Sequence, residues 1–543
     1  MPLKNLFLST MMLLMPLTTQ ADFTSTIPSG AHNVALTAEC TSQQLEREAL
    51  AAKGDVKKYE FIINQFFQRC EKQLTNGRLL GSYLGMINFG IVDYWFNQSS
   101  LMKPVLVTNK SGDRTPGYLA LKPGNLPRPL VIVKCGVFCS GDALSSTMNY
   151  MINLFDQGPF HVLLLANRTG VSYVRENRNI TMGGVLEGKD LVEIGEWVKN
   201  ESPYKDKISS LHLLGYSLGG HAASYATLYN DLELSHGNKI FSSIIPVCAA
   251  MDLEPTIRKL YQPGTLAGKA ALSDTKAVFG AIRGYVPEVE DLIAEENLPT
   301  DITKYPDLLV QILMRYQMPR RGLASTPEGQ FWHDNNFFSA AKKIQTPTFY
   351  WASKNDPVVN YKINTGRMIA STPLHSESNV AAVGLSYGSH CTFNSAYGIP
   401  TVSSVFRSFI LNHSPEMAAH KKHHQLSLQW KSLPLRPGVV ISDYRLLRTE
   451  AGVQAEFIIF DEDRDPSCNN KTYLEGHQLC FTSVKRQLDP SILKEFDLFE
   501  AKNDVDLQTQ TRMLNSMIEF KAKGKDLRGQ RATPDSLEWS DYR

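Results

Sequence analysis

Ser217 lies in Gly215-Tyr216-Ser217-Leu218-Gly219. The motif directly follows the apolar run Leu211-His212-Leu213-Leu214 and precedes a helical pattern beginning Gly220-His221. Strand, G-x-S-x-G and helix in that order make a sharp turn that presents the serine hydroxyl at the carboxyl edge of a sheet. Gly215 and Gly219 follow from that turn, because a side chain two residues from the serine on either side would collide with it. The N-terminal dipole of the next helix favours negative charge at the same point. An ordinary glycine-rich turn is the plainer reading of the same letters.

A serine hydroxyl is a poor nucleophile at neutral pH. It needs a base, and the base needs an acid to orient it. After a turn of this kind the acid and the histidine come later in the chain. Asp356, in Ala352-Ser353-Lys354-Asn355-Asp356-Pro357-Val358-Val359, ends the strand-like run TFYWA. His390, in Gly388-Ser389-His390-Cys391, follows the run VAAVGLS. Both fall at carboxyl ends of predicted strands, on the edge that carries Ser217. Asp252, after IIPVC, is the competing acid; its other reading is the cap of the helix it precedes. His375 precedes its strand and His413 follows the last helix, so both are worse placed than His390. Asp190 and Asp142 read as structural.

Acyl transfer also needs two backbone N–H groups for the oxyanion. Leu218, immediately after the nucleophile, supplies one. The other belongs to Lys134-Cys135-Gly136-Val137-Phe138-Cys139. There Gly136 permits a tight turn, Val137 is the preferred donor and Phe138 the fallback. A Cys135–Cys139 bridge would stiffen this loop.

The surrounding elements must place these groups. From Lys103 onward, short apolar runs alternate with helical patterns, which implies βαβ units and a mostly parallel sheet with helices on both faces. PLVIV, HVLLL and IIPVC are continuous apolar runs, as burial on both faces requires. The stretch of about 252–338 is too long for a loop and reads as an inserted helical cap. In it Phe279, Tyr285, Leu292, Leu309 and Met314 suit packing against the sheet, with the lining of an acyl pocket as the second reading. Residues 22–102 read as a largely helical extension. Residues 425–543 read as a further extension, partly β, with LSLQWKS, VVISDYRLLRT and VQAEFIIFDED as strands and a charged end whose composition suits disorder. The central domain is then 103–424.

The first 21 residues have a positive start at Lys4, an apolar run from Leu6 to Leu17 and the small-residue site Thr19-Gln20-Ala21. This is the pattern of a secretory signal peptide. It predicts an exported protein, periplasmic or secreted, and no later run is apolar and long enough for a transmembrane segment. Export permits disulfides. Eight cysteines allow 105 pairings. Proximity in sequence favours Cys40–Cys70, Cys135–Cys139 and Cys468–Cys480, leaving Cys248 with Cys391.

The chain of 543 residues is 43% hydrophobic and 20% charged, with a formal net charge of +2. Such a chain can bury a core, and nothing in it advertises a nucleic-acid partner. No G-x-x-x-x-G-K-[ST] phosphate loop occurs, and no CxxC pair for a zinc ribbon. His420-Lys421-Lys422-His423-His424 reads as an exposed basic linker rather than a metal site. The expectation is no metal and no organic cofactor. No oligomeric state follows from the sequence.

The elbow, the acid and the histidine resemble the α/β-hydrolase superfamily over roughly Lys103 to Leu411. Within it, Asn167-Arg168-Thr169-Gly170, Gly188-Lys189-Asp190-Leu191 and Gly215-Tyr216-Ser217-Leu218-Gly219-Gly220-His221 are similar to the embryogenesis-associated and phospholipase-like branch. There an N-R-G strand end and a G-x-D-L helix precede G-[FY]-S-L-G-G-N. In this chain a Thr separates Arg168 from Gly170, His221 replaces the Asn, and Cys135-Gly136 replaces a His-Gly. The resemblance implies a serine hydrolase cleaving carboxylic esters, lipidic acyl esters among them, through an acyl-enzyme intermediate. Its partner would be a small-molecule ester or lipid. A serine peptidase of the same fold and a non-catalytic binding or surface protein are the alternatives.

Overall fold

Two strands open the sheet as an antiparallel hairpin, β1 (Met102–Thr108) against β2 (Arg114–Ala120), in register from Met102↔Ala120 to Thr108↔Arg114. β1 is an edge, and Pro104 and the half-exposed Leu106 suit it to that place. The computed structural model describes residues 40–75, 102–110, 112–121, 127–140, 154, 160–320, 328–414, 439–449, 452–461, 471–474 and 477–487.

Six further strands complete an eight-stranded sheet. They are β3 (Arg128–Lys134), β4 (His161–Leu165), β5 (Ile208–Tyr216), β6 (Ser243–Val247), β7 (Thr348–Ser353) and β8 (Val380–Leu385). The order is β1-β2-β4-β3-β5-β6-β7-β8, and all pairs beyond β2–β4 are parallel. This is the mostly parallel α/β architecture expected from the alternation of runs. β3, β4, β6 and β7 are buried at every residue. Alternate side chains of one strand therefore enter different cores. Val131, Val133, Leu214, Ile245 and Trp351 pack on one face, and Leu130, Ile132, Leu213 and Ile244 on the other.

The first face is covered by α1 (Ser42–Leu50), α2 (Val56–Leu74) and a late helix, Ile399–Asn412. Phe67 meets Trp351 and Tyr397 edge-on, and Tyr59 meets Phe349. The N-terminal helical pair is thus part of the main core. The opposite face is covered by α3 (Val171–Asn177), α4 (Gly184–Asn200) and α5 (Leu218–Ser235).

Between β6 and β7 the chain leaves the sheet through helices that include α6 (Leu253–Leu260), α7 (Leu266–Ile282), α8 (Glu290–Ile293), α9 (Tyr305–Arg320), α10 (Glu328–Asp334) and α11 (Phe337–Ala340). This is the expected insertion. It has its own apolar core, with Phe279 and Leu309 buried inside and Tyr285, Leu292 and Met314 packed around them. These residues bury mainly against one another, because enough helices cross here to make a separate cluster. Leu218 and Val359 belong to that cluster, so the cap rests on the elbow and on the loop after β7.

α12 (Thr365–Ala370) precedes β8, and α13 (Phe393–Tyr397) and α14 (Ile399–Asn412) follow it. A second, antiparallel sheet has the order β11-β12-β10-β9, with β9 Val439–Thr449, β10 Gly452–Asp461, β11 Lys471–Leu474 and β12 His477–Gln487. Two of the three strands expected there are found, and they pair with each other; the third, LSLQWKS, lies outside the described residues. The leader, Asp142, Cys468 and His420–His424 lie outside the described residues. No described helix is long and apolar enough to cross a membrane.

Candidate active site

Ser217 occupies the turn between β5 and α5 with φ 54° and ψ −116°, a conformation non-glycine residues avoid. Its amide donates to the Val247 carbonyl at 2.9 Å, which ties the strained residue to the end of β6. The flanking glycines are sterically required. A Cβ on Gly215 would lie 2.1 Å from the Gly219 oxygen, and one on Gly219 would lie 2.3 Å from the Lys134 oxygen.

The three expected side chains meet. His390 Nδ1 lies 2.9 Å from Asp356 Oδ2, and His390 Nε2 lies 2.9 Å from Ser217 Oγ. A carboxylate only accepts, so Nδ1–H donates to Asp356; when the imidazole is neutral, Nε2 is left to accept the Ser217 hydroxyl. Asp356 is held from its other oxygen, where Oδ1 accepts the amides of Val358 and Val359 at 2.8 and 2.9 Å. Burial favours neutral His390, but the adjacent Asp356 carboxylate outweighs it and the imidazole is pushed up to about 9. The loops are also joined directly: the Ser389 amide donates to Asn355 Oδ1 at 3.0 Å.

The competitors are engaged elsewhere. Asp252 stands at the N-terminus of α6, but its carboxylate makes no capping bond. Its Oδ2 instead accepts from Arg367 at 2.9 Å and Asn336 at 3.2 Å, which corrects the reading of Asp252 as a helix cap. His375 bonds Glu60 at 2.7 Å, and His413 packs on Phe409 at the end of α14. Asp190 pairs with buried Arg168, which also reaches Asp113 at 2.9 Å. The two short motifs of the resemblance therefore meet as an ion pair.

Residues 134–139 pass directly over the nucleophile. A Cβ on Gly136 would lie 3.2 Å from Ser217 Cβ and 3.7 Å from its Oγ. The Cys135–Cys139 disulfide is present, with Cα atoms 5.9 Å apart, and so is Cys40–Cys70. The Phe138 amide donates to Thr169 Oγ1 at 2.7 Å. That engagement occupies the fallback donor, so Val137 and Leu218 remain the candidate donors. The loop is anchored from below as well. Asn167 Nδ2 donates to the Cys135 carbonyl at 3.2 Å, and buried Lys134 pairs with Glu187 at 2.8 Å.

Thr169, Lys134 and Glu187 were not legible as site residues. The inserted Thr in the Asn-Arg-Thr-Gly segment was the one available signal. His221 reaches Asn335 Oδ1 at 3.4 Å, and the same oxygen accepts the Gly184 amide at 2.9 Å. It thus joins the elbow helix to the chain returning from the cap. Burial lowers its pKa to about 4 and keeps it neutral.

The expected Cys248–Cys391 disulfide is not formed; both remain buried thiols. The reason is chemical. Cys391 Sγ points to the Val247 carbonyl at 3.9 Å, and burial pushes the Cys248 thiol up, whereas disulfide exchange requires a thiolate accessible to a partner. One ligand atom each from Cys248, Cys391 and His390 lies within 4.8 Å of the others. Both His390 nitrogens are already bonded, so a cation there would have to break the chain to Ser217 or Asp356.

Among solved structures, an esterase from Pyrococcus furiosus is 14% identical over 57% of this chain and 91% of its own, with a TM-score of 0.36. An esterase from the archaeon Pyrobaculum calidifontis is 13% identical over 66% of this chain and 98% of its own, with a TM-score of 0.35. Oligopeptidase B from Leishmania major is 12% identical over 58% of this chain and 37% of its own, with a TM-score of 0.35. No protein-family model matches the chain, and no curated protein matches it.

Proposed function

We propose that the protein is an exported serine hydrolase that cleaves carboxylic esters by acyl transfer. The observation that carries this reading is the continuous chain Asp356–His390–Ser217, with 2.9 Å at each link, at the mouth of a strained elbow. His390 Nε2 accepts the Ser217 proton as Oγ attacks the ester carbonyl. Asp356 fixes the tautomer and stabilises the imidazolium. The amides of Leu218 and Val137 hold the oxyanion. His390 then gives its proton to the leaving alkoxide, which departs as the alcohol. A water deprotonated by His390 attacks the acyl-enzyme, and the acid leaves as Ser217 regains its proton.

The apolar cap cluster that includes Leu218 favours lipidic acyl esters among the substrates. Export rests on the leader pattern of residues 1–21. The two disulfides suit an oxidising compartment. The extensions 22–102 and 425–543 flank the catalytic domain 103–424 in this reading.

Fluorophosphonate labelling tests it. The wild type should label, and Ser217→Ala should abolish labelling. His390→Ala should lower ester turnover by roughly 10³-fold or more. Equal labelling of wild type and Ser217→Ala, or near-normal turnover in the His390 variant, would reject the assignment. An ester panel set against aminoacyl amides separates esterase from peptidase.

A further inference from the structure

β8 is the last strand of the sheet, and its outer edge would ordinarily present unpaired backbone groups. The carbonyls of Asn379 and Leu385 accept from Thr348 and Lys354 on the β7 side. The alternate residues therefore turn their polar groups outward. α2 takes up three of those groups. Lys57 Nζ donates to the Val380 carbonyl at 2.5 Å, and Glu60 Oε1 accepts the Ala382 amide at 3.3 Å. Glu71 takes Ser386, whose amide donates to Oε1 at 2.9 Å and whose hydroxyl donates to Oε2 at 2.7 Å.

The lengths match. Lys57 to Glu71 spans roughly 21 Å of helix at ~1.5 Å per residue. Val380 to Ser386 spans roughly 20 Å of strand at ~3.3 Å per residue. The helix thus stands where a ninth strand would lie, with side chains serving as the ladder. Glu71 also accepts the Tyr397 hydroxyl at 2.6 Å, and that hydroxyl in turn accepts the Tyr387 amide at 3.1 Å. The loop that carries His390 is therefore held at its start, Ser386 and Tyr387, by one carboxylate of the N-terminal extension. That helix is itself fixed. Cys70 is bridged to Cys40, and the Tyr59 hydroxyl donates to the Val405 carbonyl at 2.6 Å.

We propose that Glu71 is a positioning residue for the general base, and that the N-terminal helical pair serves to fix the His390 loop against Ser217. The catalytic part of this proposal rests on the hydrolase reading; the loop-holding part does not. Glu71→Ala, Glu71→Gln and the control Glu60→Ala separate the two. Glu60 makes the same kind of edge bond farther from the loop.

Expected in Glu71→Ala are a fall in kcat and labelling rate of roughly 10- to 100-fold, with KM changed by less than about twofold. Amide hydrogen exchange across residues 386–392 should also be faster. Glu71→Gln, which keeps an acceptor for the Ser386 amide, should recover most of the loss and covers the case of an unfolded Ala variant. Glu60→Ala should lower thermal stability without lowering kcat. An unchanged kcat in Glu71→Ala, or an equal loss in Glu60→Ala, would overturn the positioning role. Should the wild type neither label nor turn over ester, the hydrolase reading falls alone. Exchange across 386–392 then decides the brace: faster in Glu71→Ala upholds it, unchanged rejects it.

Discussion

Thr169 Oγ1 accepts the Phe138 amide at 2.7 Å and passes its own proton to Asn167 Oδ1 at 2.7 Å. One hydroxyl thereby engages one of two adjacent candidate oxyanion donors and pins the loop that carries the other. Thr169→Val keeps the shape and removes the acceptor. A half-buried amide left without a partner costs at most about 1–3 kcal/mol, so unfolding should come at lower denaturant. Ester turnover should fall with it as Val137 loosens, and Thr169→Ser should restore both. Wild-type stability and rate in the Val variant would show that the loop does not depend on this bond.

The pH profile follows from His390. The base works only when neutral, and Asp356 raises its pKa to about 9 against the burial that lowers it. In the free enzyme kcat/KM should therefore climb as pH rises through about 9. Stability has the opposite sign. The folded value lies above the ordinary 6.5, so the stabilisation is complete below about 6.5 and is lost as pH rises through about 9. In Asp356→Asn the largest influence that raises the imidazole is lost, so the rising limb should move to lower pH while the rate falls by about 10⁴.

Three other histidines act at low pH, His212 among them, which burial also lowers. Burial lowers His221 and His413 to about 4, so both are neutral in the native state. Their contribution is present above about 6.5 and disappears as pH falls through about 4. The urea midpoint should decline across that window. His221→Asn, which keeps a donor for Asn335 but cannot titrate there, should flatten part of the decline.

Arg168 is buried between Asp113 and Asp190 and donates to Thr181 at 3.1 Å. Arg168→Leu leaves two carboxylates facing each other without a cation. Removing one partner of such a group costs about 3–5 kcal/mol, measurable by chemical unfolding. A loss below ~1 kcal/mol would show that water or protonation replaces the guanidinium.

The elbow was legible because its constraint is local. The chain must turn sharply at Ser217, and the glycines at 215 and 219 record the collision that any side chain would cause. Asp356 and His390 were legible from their place after apolar runs and from chain order. The parallel sheet followed from runs such as Val131–Val133, whose residues face two cores at once. The choice of Val137 over Phe138, the diversion of Asp252 to Arg367, and the two thiols that stay reduced depend on partners brought from far along the chain. So does the bond between Glu71 and Ser386, groups separated by 315 positions. No spacing rule reaches across that distance. The sequence by itself determined which groups could react and which strand ends would carry them, because sterics and hydrophobic patterning act between near neighbours. Only the tertiary structure decided how those groups are held, because hydrogen-bond partners and burial are set by packing.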